Sequence, residues 1–458
     1  MHNYRFLCSA ILAAVVMGCG SSASDGSNID GGSNTDAGEI IPGTLPDPVP
    51  SVGVAFVAHF LPDPDTENKL MWFRTDGATP SLGGSIALDG PTQAMALDRR
   101  NNILGIVSDA GRSVTLYRIT RPASASAPMA APTKAGSINF GSNELPISVV
   151  FNDLNKRMYV SVSPITGEPT TIHQLHAYDV SNPDVPTLIS GFPVDVPASV
   201  YHALDSARNL LFIGGLADDQ LHGYDLDDSG LRELSGSPLD LPTLFPVPAT
   251  MPSQTGFQVR STTVDPWRNR VYAVRSQGIL SELMAFEYPD TLPASGSRYG
   301  DTVSMTDFTL VPDGFDTSLA GADRPNLLEG YSVGLDTDNG DVFMLGNAFN
   351  GNLSTAIVAN FKATDLSLQT GCNDFEGFGC FVNHYSNNSP GAFMQTDGAL
   401  CYDTTNKVVV ATSVASSEDD PGNVHFYKVA TDGTLANWHD SDGDTIAASS
   451  LPIEASCF

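Results

Sequence analysis

Arg260, His202, Glu144 and Glu329 are the side chains whose types suit acid–base work on a carbonyl. A guanidinium polarises a carbonyl oxygen, and an imidazole or a carboxylate takes a proton from water. Gln93 and Tyr331 add neutral hydrogen-bonding groups, while Phe375 and Phe378 add apolar contact surface. Gly330-Tyr331-Ser332-Val333-Gly334 has the spacing of a serine nucleophile elbow. That elbow requires a strand, a sharp turn and a helix, whereas this run continues into Leu335-Asp336, so Ser332 is expected to be structural. Asp440, Asp442 and Asp444 have the spacing that opens a calcium loop, but the twelfth position is Leu451 instead of a bidentate Glu. A structural calcium ion there is the one cofactor the sequence offers.

These residues need elements to position them, and an internal repeat supplies the elements. Six-residue segments ending in an aromatic and then a charge recur around Phe73, Tyr117, Tyr178, Tyr224, Phe286, Phe361 and Tyr427, separated by 44 to 75 residues. That period is too long for a solenoid of short repeats and suits four strands with their loops. A second segment precedes six of them, ending in Asp98, Asn152, Asp205, Asp265, Asp336 and Asp403, each followed by a polar turn and a β-branched or aromatic run. This pattern predicts a hairpin with an Asx turn. The fold expected is all-β, a seven-bladed β-propeller, with the Asp-ending segment as innermost strand A and the aromatic segment as strand C. Strand D follows, as over 301–311. The first blade lacks its own strand A, so a C-terminal strand, Leu451 to Phe458, is expected to complete it and close the ring.

Counted back from the terminal Asp or Asn, the second and fourth residues of strand A are mostly small, which suits a crowded axis. The third, His202 among them, is mostly apolar and is expected to pack between blades. The fifth, which includes Gln93, Arg260 and Tyr331, falls at the mouth of the funnel where strand A begins, with Glu144 and Glu329 just outside. Three further histidines, His176, His222 and His425, occupy one slot in three different blades, which keeps them too far apart to share a metal. Long insertions at 289–330 and 363–398 include connections into the next strand A, and Phe375 and Phe378 lie in the second of them.

Residues 1–18 read as a signal peptide, with a short polar start and an apolar stretch from Phe6 to Met17. The stretch closes on Val16-Met17-Gly18-Cys19, which resembles the bacterial lipobox, so Cys19 is the expected lipidation site and the membrane a partner. Gly20 after the cysteine points to the outer membrane, with the cell surface as a further destination. Residues 19–50, rich in Ser, Gly, Asp and Pro, read as a flexible tether, leaving 51–458 for the propeller. The net charge of −30 argues against nucleic acid. Cys372, Cys380, Cys401 and Cys457 then remain in an oxidising compartment, and of three pairings the expected one joins Cys372 to Cys380 and Cys401 to Cys457. The second bridge would lock the ring at its seam. A metal site is the alternative, without a CxxC pair to support it.

Strands such as Val271-Tyr272-Ala273-Val274, Met158-Tyr159-Val160-Ser161-Val162 and Leu211-Phe212-Ile213-Gly214-Gly215, with Leu175-His176-Ala177-Tyr178-Asp179-Val180 after the second, resemble the YVTN-type, lactonase-like propellers. The resemblance covers residues 51–458 by pattern, without a catalytic motif. It implies the fold and two functions: a surface-displayed binding or scaffold module for a protein, glycan or small molecule at the funnel face, or a lactonase-like hydrolase using Arg260, His202 and Glu329 or Glu144. Three Trp in all cannot furnish the repeated docking pattern of a quinoprotein.

Overall fold

Alternating β-branched and aromatic residues favour strands, and the Asp or Asn ending each inner segment sets the place of the first turn. A computed structural model describes residues 45–60, 68–108, 111–123, 127–165, 172–199, 201–215, 218–227, 230–244, 258–277, 280–294, 296–311, 328–336, 340–350, 353–367, 381–386, 399–413, 423–431, 433, 435–441 and 451–458. Its strands form seven antiparallel sheets, the blades of a propeller. The inner strands A are Leu451–Cys457 in blade 1, Thr92–Asp98, Glu144–Asn152, Tyr201–Asp205, Gln258–Asp265, Leu328–Asp336 and Leu400–Asp403 in blades 2 to 7. Neighbouring A strands contact one another around a complete circuit, the last returning to the first.

The C-terminal strand pairs with Val54–Phe60, so blade 1 is completed from the far end of the chain, as the missing inner strand predicted. Cys401 and Cys457 form a disulfide across that seam, with Cα atoms 5.6 Å apart. Cys372 and Cys380 lie outside the described residues.

The Asx turns take the expected form. Asp205 Oδ1 accepts from the backbone N–H groups of Ala207 and Arg208, Asp265 from Trp267 and Arg268, and Asp403 from Thr405 and Asn406. Four residues beyond each terminal Asp or Asn the chain turns left-handed, at Asn102, Lys156, Asn209, Asn269, Gly340 and Lys407, with φ between 53° and 74°. That conformation favours Gly and Asn, which fill four of the six places.

The reading of the inner strand needs one correction. Both of its faces point at neighbouring blades, so the small residues do not line a crowded axis; they receive the larger ones of the next blade. Ala94 packs with Val149, Cys401 and Ala399 pack toward blade 1, and Leu400 packs back against Phe343 of blade 6. A methyl added to Gly334 would come within 2.4 Å of Leu400 Cδ2, and Leu400 is fully buried. Gly334→Ala should therefore cost about 1 to 3 kcal/mol, read as a lower urea midpoint with unchanged slope. The glycine of the elbow-like motif serves packing, and the strand runs straight on through Ser332 to Asp336.

Two other expectations differ from the structure. Over 301–311, two 3-10 turns, Tyr299–Asp301 and Met305–Asp307, replace most of strand D, leaving only Thr309–Leu310 paired. Asp301 accepts from the Arg298 backbone N–H at 2.9 Å, and a capping box joins Ser304 with Asp307, so both turns draw the backbone out of the sheet. Asp440 lies inside strand Leu435–Ser441, opposite His425, and so does not open a loop; Asp442 and Asp444 fall outside the described residues.

Candidate funnel site and inner-strand histidines

The fifth position of strand A carries the most specific feature of the funnel. Register slips by one residue between Thr92 and Ala94, between Pro146 and Ser148, between Val259 and Ser261, and between Gly330 and Ser332. The extra residues are Gln93, Ile147, Arg260 and Tyr331. Blade 1 repeats the slip at Ile453, between partners of Ala58 and His59. A bulge takes its extra residue out of the register of the ladder and re-aims it, and bulges recur beside binding sites. Five blades therefore break their ladders at one level of the ring. Gln93 and Arg260 are half-buried there. The corresponding residues of blades 4 and 7, Val200 and Gly398, lie outside the described residues.

The acid–base candidates are dispersed. His202 is 8% exposed on strand A of blade 4, and its Nδ1 lies 2.8 Å from Ser148 Oγ of blade 3. Burial first, and then the neighbouring His173, lower its pKa to about 3. His173 is also held low by burial and accepts from the Ser199 backbone N–H at 3.1 Å. The Ser148–His202 pair has the composition of a nucleophile and its base, but Ser148 is fully buried and no substrate reaches it. An imidazole with a pKa near 3 is also too weak a base to hold a proton at neutral pH. Glu144 turns elsewhere, accepting from the Gly141 N–H at 2.7 Å and facing His176 and Tyr178. Glu329 pairs in register with Asn347, and for both it and Tyr331 the structure describes the backbone alone. Cys19, Phe375 and Phe378 lie outside the described residues.

The repeated histidines of strand C stack on tyrosines two residues along: His176 on Tyr178, His222 on Tyr224 and His425 on Tyr427, with rings 6.2 to 6.5 Å apart and within 10° of parallel. Period-two alternation puts each His-x-Tyr pair on one face of its strand, a relation visible in the sequence. Two buried arginines between blades are engaged by several partners each. Arg275 of blade 5 makes a bidentate pair with Asp219 of blade 4, at 2.6 to 3.0 Å. Arg208 binds Asp205 and the carbonyls of Thr291 and Asp290, and lies 5.4 Å over the Tyr288 ring.

At the opposite end of the inner strands, where they turn into strand B, a cavity of about 210 Å³ lies inside the ring. Leu97, Arg99, Phe151, Asp153, Leu204 and Trp267 contribute to its wall, and Leu45, Pro46, Pro48 and Val49 lie over it. Arg100 ties this strap down by donating to the Asp47 carbonyl at 2.9 Å, and it also pairs with Asp153 at 3.0 Å. The compositional reading placed the strap in the tether and gave it no contact with the ring.

No family model matches the sequence, and no curated protein does. Solved structures do. A protein of unknown function from Desulfotomaculum acetoxidans superposes with a TM-score of 0.50 at 12% identity, over 88% of this chain and 99% of its own. A protein from Lactobacillus plantarum does so at 0.50 and 14%, over 89% and 99%. At such identities the likeness concerns architecture, and it agrees with the circuit of inner strands: the chain is a seven-bladed β-propeller closed by its own C-terminal strand.

Proposed function

We propose that this propeller is a binding module for a small polar molecule seated at the face where the inner strands begin. The observation that carries the reading is the set of five bulges at one level, which takes Gln93, Arg260 and Tyr331 out of the ladders. Arg260 suits a carboxylate or carbonyl, and Gln93 and Tyr331 suit hydroxyls. The burial and low pKa of His202 weigh against hydrolysis, because the best-placed imidazole cannot exchange protons at neutral pH. Cys19 would carry the lipid and residues 20–44 the leash, which holds the module at an outer membrane.

Calorimetry against sugar acids, hydroxy acids and their lactones tests the reading. Arg260→Ala should weaken the best binder by about tenfold to a hundredfold while the melting temperature holds, since a hydrogen bond to a charged group is worth about 1.5 to 3 kcal/mol. Lactone turnover lost in that variant would instead establish the hydrolase, and an unchanged affinity would remove Arg260 from the site. Fatty-acid labelling that survives Cys19→Ala would overturn the anchor.

A further inference from the structure

We propose that the strap sets which way the propeller faces: the end of the ring where strands A turn into strands B lies toward the lipid, and the funnel with its bulges opens away from it. This rests on the reading of Cys19 as the lipid-bearing residue, and it makes the partner of the funnel a molecule that arrives from water and not from the bilayer. The strap, residues 45–50, lies over the centre of the ring at the end opposite the bulges. The cavity it covers is lined from five blades by the ends of inner strands and their turns, with Ser456 of blade 1, Arg100 of blade 2, Asp153 of blade 3, Ala207 of blade 4 and Trp267 of blade 5 among them.

Hydrogen bonds hold the chain to this course. Arg100 Nη2 donates to the Asp47 carbonyl at 2.9 Å, and Arg121 Nη1 to the Pro50 carbonyl at 3.3 Å. Thr405 of blade 7 then fixes Ser51: its Oγ1 donates to the Ser51 carbonyl at 2.9 Å, and its backbone N–H to Ser51 Oγ at 3.1 Å. Pro46, Pro48 and Pro50 restrict the backbone at every second residue, which stiffens the crossing. Leu45 is half-buried at the cavity, so the chain that precedes it leaves the ring near its axis, at the end away from the funnel.

Chain lengths turn this exit point into an orientation. A Gly/Ser-rich coil of about 26 residues, the length from Cys19 to Thr44, spans about 25 to 30 Å on average. With the inner turns toward the membrane, such a coil joins lipid to Leu45 without being stretched. With the funnel toward the membrane, it must also cross the ring to its rim and climb the side. Three strand spacings of about 4.8 Å separate an inner strand from the rim, and an inner strand such as Thr92–Asp98 or Gln258–Asp265 is about 25 Å long, so the detour adds about 40 Å. Holding a coil beyond its average extension costs conformational entropy, which favours the first orientation.

Energy transfer to acceptor-labelled lipids, measured on the lipidated full chain in vesicles, tests the orientation. A donor dye is attached through an azido amino acid at one of two exposed positions: Trp267, in the inner turn of blade 5, or Ser142, on the connection that enters strand A of blade 3. Transfer from position 267 should exceed transfer from position 142. A Gly/Ser insert of about 50 residues before Leu45 should abolish the difference, because the longer coil averages about 45 to 50 Å and reaches round the ring. Equal transfer from the two positions, or more from 142, overturns the orientation. A difference that survives the insert means that some contact other than the leash orients the ring, and overturns the part given to the strap. The anchor fails separately: a Cys19→Ala chain that still binds the vesicles removes the lipid reading, whereas a wild-type chain that binds only through Cys19 and gives equal transfer removes the orientation alone.

Discussion

Replacing Cys401 and Cys457 together by Ala should lower the folding stability by about 4 kcal/mol, and reduction of the wild-type protein should do the same. The bridge joins residues 56 apart in sequence. Removing that constraint returns loop entropy to the unfolded chain, and the entropy of a loop of this length sets the figure. The reduced ring should nevertheless stay closed. Phe458 packs against Phe56 with ring centroids 6.1 Å apart, the Arg121 guanidinium lies 4.8 Å over the Phe458 ring, and Arg99 Nε donates to the Cys457 carbonyl at 2.8 Å. Reduction therefore separates two contributions to the seam: the covalent one acts on the unfolded state, while the packing acts on the folded one. Truncation before Leu451 removes both and exposes the edge of Val54–Phe60, so that chain should be aggregation-prone, unlike the reduced one. Urea unfolding with and without reductant gives the comparison. A midpoint indifferent to reductant would mean that the bridge constrains nothing the ring does not already hold.

This seam could be read from the sequence because it follows from counting. Six Asp- or Asn-ended inner segments against seven aromatic ones leave one blade short, and the only unassigned strand is C-terminal. The two cysteines then fall on adjacent inner strands. The bulges left no such trace. Whether Arg260 is paired or extruded depends on how Gln258–Asp265 registers against Arg270–Gln277, and no residue of either strand announces the slip. The position was found, but not its geometry. The orientation of the small inner residues was misjudged for a related reason: period two gives opposite faces without saying what each face meets, and in a ring both meet a blade. The strap over the cavity was hidden by composition, since prolines and one aspartate look like a linker until Arg100 binds the Asp47 carbonyl.

The second large effect is a pH dependence that two inner-strand residues conceal from each other. His202 has its pKa lowered to about 3 by burial, so below about 6.5 the unfolded chain takes up a proton that the folded chain refuses. The unfolded state then binds more protons, and stability falls as pH falls from about 6.5 to 3, by about 5 kcal/mol in all. Asp98 acts in the opposite sense. Burial outweighs its bonds from Asn101, the Asp153 charge adds to the effect, and its pKa rises from 3.8 to about 6. Between those values the folded state binds more protons, so stability falls as pH rises, by about 3 kcal/mol. From pH 4 to 6 one residue gains what the other loses, and their combined slope is near zero. Asp98→Asn removes one partner without breaking the turn, because Asn152 fills the same place in blade 3 and accepts from the Leu154 and Asn155 N–H groups at 3.2 Å. Against wild type, Asp98→Asn should gain about 3 kcal/mol between pH 4 and 6 and reveal a stability that rises with pH. His202→Gln should reveal the reverse slope, and the double variant should follow wild type across that window. Urea midpoints at four pH values suffice to measure all three. If wild type and His202→Gln run parallel from pH 7 to 4, His202 takes up its proton in the folded state, which would mean that water reaches the ring and that burial between blades 3 and 4 does not hold it neutral.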